Sequence, residues 1–144
     1  MLEQSDLIGS WSLVAAEETG PDAGTIAPPF GGKPKGMLHY LADGRMVVVI
    51  QNADRPPIEG GRRGGSDAEW RGAARSFTAY AGTYSILPGQ VVHHVDLNSF
   101  PNDIGVDYVR LARMENGRLI LETPSELPPD QRPMRLVWQK YDGT

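Results

Sequence analysis

Hydrophobic and polar residues alternate most regularly across residues 79–98, on either side of Pro88-Gly89. Two β-rich runs about such a turn predict a hairpin. Pairing them sets Ile86 opposite Val91, Tyr84 opposite His93, Gly82 opposite Val95 and Tyr80 opposite Leu97. Successive side chains of a strand point to opposite faces. Tyr80, Tyr84, Ile86, Val91, His93, Val95 and Leu97 therefore share one face, and Thr83, Ser85, Val92, His94 and Asp96 the other. The first face is apolar, with phenols and an imidazole set into it. It suits the wall of a cavity inside a β-barrel, and equally a packed core with satisfied polar tips. A slip of one residue in register would exchange His93 for His94 on that face.

Similar patterns recur along the chain. Gly9–Ala16 predicts a first strand with Trp11, Leu13 and Ala15 on one face, preceded by a helical turn at Asp6-Leu7-Ile8 that closes one end of the fold. Residues 20–35, with Pro21, Pro28, Pro29 and Pro34, predict a long loop at an open end. Lys35–Ala42 and Arg45–Asn52 flank Asp43-Gly44, a two-residue hairpin signal that pairs Leu41 with Met46, His39 with Val48 and Met37 with Ile50. Both faces of this hairpin are apolar, and periodicity does not choose the inner one. After a Pro-, Gly- and Arg-rich loop over 53–65, Ser66 and Glu69 have capping-box spacing. Trp70, Ala73, Ala74 and Phe77 follow at helical spacing, which predicts a short helix over 67–77, either a lid across a barrel end or packed on the wall.

Beyond the turn-rich corner Phe100–Gly105, Val106–Met114 and Arg118–Thr123 flank Asn116-Gly117, a further hairpin signal. Residues 124–133 carry four prolines and predict a loop, and Met134–Tyr141 alternates as a closing strand. The result is about eight strands joined mainly by hairpins, with no βαβ rhythm. The expected fold class is all-β: residues 1–144 form one domain, a single antiparallel up-and-down β-barrel with one short helix. Closure removes exposed strand edges. Such an interior holds either packed side chains or one small ligand.

Composition narrows the chemistry. The chain of 144 residues, 40% hydrophobic and 22% charged, suits one soluble domain with its own core. The net charge is -4, and Arg62-Arg63 stands alone among glycines, so nucleic acid is not an expected partner. The lack of cysteine excludes disulfides and thiolate chemistry and fits a reducing compartment. Neither a signal-peptide pattern nor a bilayer-length apolar run is present, so a cytoplasmic protein with no membrane partner is expected. Gly-x-Ser-x-Gly, Walker and dinucleotide fingerprints are missing, and Gly60–Gly65 reads as a flexible loop. His93 and His94 point to opposite faces and cannot easily share a metal; a site from His39, His93 and a carboxylate would need strands brought together by closure. No metal and no cofactor are expected. An imidazole and phenols on one inner face could perform general acid–base work or could orient a ligand without chemistry.

Several stretches resemble the bacterial and fungal lipocalin-like domain family. They are Leu7–Trp11, Gly36–Tyr40 leading into Asp43–Met46, Ala79–Tyr84, Val92–Val95, Ser99–Asn102 and Leu136–Trp138, and together they extend over nearly the whole chain. The resemblance implies a small β-barrel with a cavity for a small, largely apolar molecule. It gives Trp11 a structural place at the closed end. Some barrels of this kind act as cyclases or isomerases in natural-product pathways, so two functions are open: a module that binds an apolar or aromatic metabolite, or a cofactor-free isomerase, cyclase or dehydratase of polyketide or terpenoid metabolism. The candidate ligand-contacting residues are His39, Tyr40, Trp70, Tyr80, Tyr84, His93, Phe100 and Asn102, with His93 and Tyr84 catalytic if the protein is an enzyme. A homodimer is a further expectation.

Overall fold

The computed structural model describes residues 1–20 and 29–143. The predicted loop over 20–35 therefore falls in large part outside the described residues. Eight antiparallel strands follow one another around a closed barrel. They are β1 (Gly9–Glu18), β2 (Lys35–Tyr40), β3 (Arg45–Gln51), β4 (Phe77–Leu87), β5 (Gln90–Asn98), β6 (Asp107–Glu115), β7 (Arg118–Glu122) and β8 (Met134–Lys140). β1 pairs with both β2 and β8, which closes the sheet. Among the described residues two α-helices accompany it, α1 (Gln4–Leu7) and α2 (Asp67–Arg75). The expected single up-and-down barrel is the fold.

The barrel ends differ because the connections differ. Turns at 41–44, 88–89 and 116–117 lie at one end with α1, and the long connections lie at the other. α1 plugs the first end: Leu7 is fully buried, and the Gln4 amide donates to the Ala42 carbonyl (3.2 Å) and the Tyr84 hydroxyl (3.1 Å). Trp11 packs just inside, 2% exposed, with its indole N–H on the Leu7 carbonyl at 2.8 Å. The Lys140 ammonium caps that ring from 4.6 Å and donates to the Ile8 carbonyl. Tyr40, Met46, Val91, Leu119 and Trp138 complete the core.

Two pairings differ from the sequence expectation, each for a local reason. The β2–β3 connection is a three-residue loop, not a two-residue one. Leu41 N–H bonds to the Arg45 carbonyl (2.9 Å), and Gly44 sits at φ 91°, where a left-handed residue completes the turn. The register moves by one, so Tyr40 faces Met46, Leu38 faces Val48 and His39 faces Val47. Leu38, Tyr40, Met46, Val48 and Ile50 are buried inside, and Met37 is exposed.

In the central hairpin, Ile86–Val91, Tyr84–His93 and Gly82–Val95 pair as expected, but a bulge then makes Asp96 the extra residue. Tyr80 consequently faces Asn98, and Leu97 turns outward, 64% exposed. Gly82 allows the bulge: a Cβ there would lie 1.8 Å from the His94 carbonyl oxygen. Since that neighbour is backbone, it cannot swing aside. Gly82→Ala is expected to destabilise the fold by at least ~2 kcal/mol, read as a lowered denaturant midpoint with unchanged m-value.

α2 begins with the predicted capping box, Ser66 Oγ accepting from Glu69 N–H (3.1 Å) and Glu69 Oε1 from Ser66 N–H (2.9 Å). The helix stops at Arg75, and Phe77 opens β4 instead of closing the helix.

Candidate functional site

The open end of the barrel leads into a cavity of about 550 Å³. Its walls are apolar: Leu38 from β2, Val48 and Ile50 from β3, Leu121 from β7, and Leu136 and Trp138 from β8. Phe30, Phe77, Phe100 and Met134 stand toward the mouth, joined by Ala74 and Arg75 at the end of α2. Deep polar groups come from one arc of the barrel: Tyr80 from β4, His93 and Asn98 from β5, Tyr108 and Arg110 from β6, and Asp103 from the β5–β6 connection; Thr78, Ser99, and Thr123, Asp130 and Gln131 of the β7–β8 connection add further polar groups to the lining.

His93 is the centre of that arc. It is 1% exposed, and each ring nitrogen meets a phenol: Nε2 lies 2.7 Å from the Tyr40 hydroxyl and Nδ1 2.8 Å from the Tyr80 hydroxyl. Burial, and then the nearby Arg110 charge, push its pKa down to about 3, so the ring is neutral at pH 7. A neutral imidazole has one donor and one acceptor. Tyr40 decides which is which. It is fully buried, and among the described residues its hydroxyl has one acceptor, His93 Nε2. A buried O–H left without an acceptor costs ~1–3 kcal/mol. Tyr40 therefore donates to Nε2, Nδ1–H donates to the Tyr80 oxygen, and the Tyr80 O–H is left directed to the cavity. Burial raises the pKa of both phenols, opposed at each by Arg110, so both remain protonated.

The neighbouring groups satisfy one another. The Tyr108 hydroxyl donates to the Asp103 carboxylate and accepts from the Asn98 amide at 3.0 Å. Burial, and then Asp103, raise the Tyr108 pKa. The Asn98 carbonyl oxygen accepts from Phe100 N–H at 2.8 Å. Tyr108 packs edge-on to Tyr80, ring centroids 4.9 Å apart, and Arg110 lies 4.9 Å from the Tyr108 ring centroid.

A family model for the lipocalin-like domain matches residues 8–141. The chain belongs to the lipocalin-like domain family. No curated protein matches it in sequence. The family match spans every strand of the barrel and so covers all of the cavity wall described above.

The lipocalin-like barrel brings some of the predicted residues together and separates others. Tyr80, His93 and Phe100 line the cavity, and Tyr40 stands directly behind His93. His93 faces inward and His94 outward, as the hairpin pairing sets. Tyr84 belongs to the floor instead: its hydroxyl donates to the Leu41 carbonyl at 2.8 Å, below the cavity. His39 lies on the outer wall with its Nδ1 3.4 Å from Ser10 Oγ, because its alternating neighbours Leu38 and Tyr40 point in. That also separates His39 from His93, so the metal arrangement considered from sequence is not formed. Trp70 turns toward the 58–65 loop, its indole N–H on the Gly64 carbonyl at 2.7 Å. Asn102 is exposed outside the cavity lining.

Asn98, Asp103, Tyr108 and Arg110 were not legible as site residues. On β6, the run Val109-x-Leu111 looks like the inner face, whereas Tyr108, Arg110 and Ala112 occupy it.

A second histidine arrangement lies outside. Ser85 Oγ is 2.8 Å from His94 Nε2, and His94 Nδ1 is 2.8 Å from Asp107 Oδ1. The connectivity is that of a nucleophile, base and acid. It sits on the outer face of the sheet, where adjacent backbone amides are engaged in the ladders of a closed barrel. The three side chains form a hydrogen-bond chain across β4, β5 and β6.

Proposed function

We propose that this lipocalin-like protein is a small-molecule-binding module that holds an apolar or aromatic metabolite in its central cavity. The observation that carries the reading is the cavity itself: about 550 Å³, walled largely by aliphatic and aromatic side chains, with a cluster of polar groups from β4, β5 and β6. Binding sites for small molecules generally have this composition, a mostly apolar lining with few oriented polar groups. Cavities of this size remain empty only at the cost of lost packing contacts.

The second reading is a cofactor-free isomerase, cyclase or dehydratase using the same cavity. The hydrogen-bonded series Tyr40–His93–Tyr80 favours it, since Tyr80 is a cavity-facing acid backed by an imidazole. Two features weigh for binding alone. Both nitrogens of His93 are occupied, and an imidazole with a pKa near 3 is a weak base. Tyr84, the partner expected from sequence, points to the barrel floor.

Titration with a neutral apolar dye such as Nile red tests the reading. Saturable one-to-one binding is expected, lost when Thr78, which lines the cavity near the start of β4 opposite Ile50, is replaced by tryptophan while the circular dichroism spectrum is unchanged. Dye binding that persists in the plugged variant would place the dye on the outer surface and remove the support for a cavity ligand.

A further inference from the structure

We propose that the ligand of this cavity carries a carboxylate, received by the Arg110 guanidinium and the Tyr80 hydroxyl. The inference rests on the binding function proposed above and specifies its ligand class.

Donors outnumber free acceptors around Arg110 in the polar arc. Arg110 lines the cavity and is only partly exposed. Its contacts within the chain are the Val109 carbonyl at 3.1 Å, the face of Tyr108, and an interaction with the Tyr80 hydroxyl. Among the described residues no carboxylate lies within ion-pair distance of it. A guanidinium has five N–H donors and no acceptor, so these contacts leave donors over on a side chain that lines the cavity. The Tyr80 O–H adds a donor beside it, because the Tyr80 oxygen already accepts from His93. The other polar groups of the arc are engaged: Asp103 and Asn98 both bond to the Tyr108 hydroxyl.

This part of the cavity therefore offers donors and a positive charge, and a ligand must supply the acceptor. A partly desolvated charge without a partner is unfavourable. A carboxylate matches the planar fork of arginine with two parallel hydrogen bonds and restores neutrality. A phosphate monoester fits less well. Its second charge would meet a lining that already holds two carboxylates, Asp103 and Asp130. The body of the ligand lies along Ile50, Leu121 and Leu136, which suits an aromatic or alkyl acid.

The test uses matched pairs of aromatic and medium-chain acids and their methyl esters, for example 2-naphthoic acid and methyl 2-naphthoate, titrated at pH 7. The acid is expected to bind the unmodified protein at least about tenfold more tightly than its ester. Arg110→Gln should abolish that preference by weakening the acid far more than the ester. Tyr80→Phe should weaken the acid several-fold and the ester less, and supplies an independent arm where Arg110→Gln folds poorly. Equal affinity for acid and ester in the unmodified protein, or equal losses for both in the variants, would overturn the carboxylate assignment while leaving the cavity as a binding site. Failure of every acid and every ester to bind would overturn both readings.

Discussion

Replacement of Trp11 by alanine is expected to remove roughly 3–5 kcal/mol of stability. The indole is 2% exposed, so its loss opens a cavity that the rigid barrel end cannot collapse to fill. It also strands the Leu7 carbonyl, the cation above the ring, and the last turn of α1 that the indole N–H anchors. Trp70→Ala is the appropriate control. That side chain is 45% exposed and packs on a loop, so its replacement should cost no more than about 1 kcal/mol. Denaturant unfolding of the two variants measures both. Equal, small shifts would mean that α1 and the Trp11 ring do not close the barrel.

The second large effect is an acid destabilisation that originates at His93. Its folded pKa is about 3, against an ordinary value of 6.5 in the unfolded chain. The unfolded state therefore binds a proton that the folded state refuses, so stability falls as pH drops below 6.5 and stops falling near pH 3. The loss is on the order of 2 kcal/mol between pH 6.5 and 5, and roughly 4 kcal/mol over the full window. The upper part of the window lies above the ordinary pKa of a carboxylic acid. Below it, Glu122 adds loss of the same sign, since Arg113 and then Arg135 hold its pKa below the usual value. Chemical denaturation at pH 6.5 and 5 measures the difference. His93→Gln keeps a polar side chain between the two phenols without a titrating ring and should flatten the profile. An equally steep profile in that variant would locate the acid sensitivity elsewhere.

The architecture was readable because its signals are local. Pro88-Gly89 and Asn116-Gly117 fix hairpins wherever they occur between β-rich runs, and Ser66 with Glu69 fixes the start of α2. His93 could be placed inside because the pairing runs without interruption from the turn to Val95. The errors begin where one residue changes the count. Gly44 adds a left-handed position to the β2–β3 turn and moves His39 away from Val48. Gly82 accommodates a bulge that takes Leu97 out of the wall and brings Asn98 in. A glycine within a strand is a known bulge marker, so this second change had a sequence signal.

Arg110 had none. Its strand carries apolar residues on both faces, and only its placement beside His93 and Tyr80 in the closed barrel gives the charge a role. Trp70 misled for the opposite reason: an aromatic at helical spacing suggested the mouth, whereas its indole is held by the Gly64 carbonyl.

Methyl NMR during titration with an aromatic carboxylic acid tests most directly whether the barrel interior is the binding site. The methyls of Leu38, Val48, Ile50, Leu121 and Leu136 face the cavity, and those of Met37 and Val47 face solvent. Binding in the cavity should shift the first set to saturation at one equivalent and leave the second set unmoved. Shifts confined to Met37 and Val47, or non-saturating shifts spread over both sets, would contradict it.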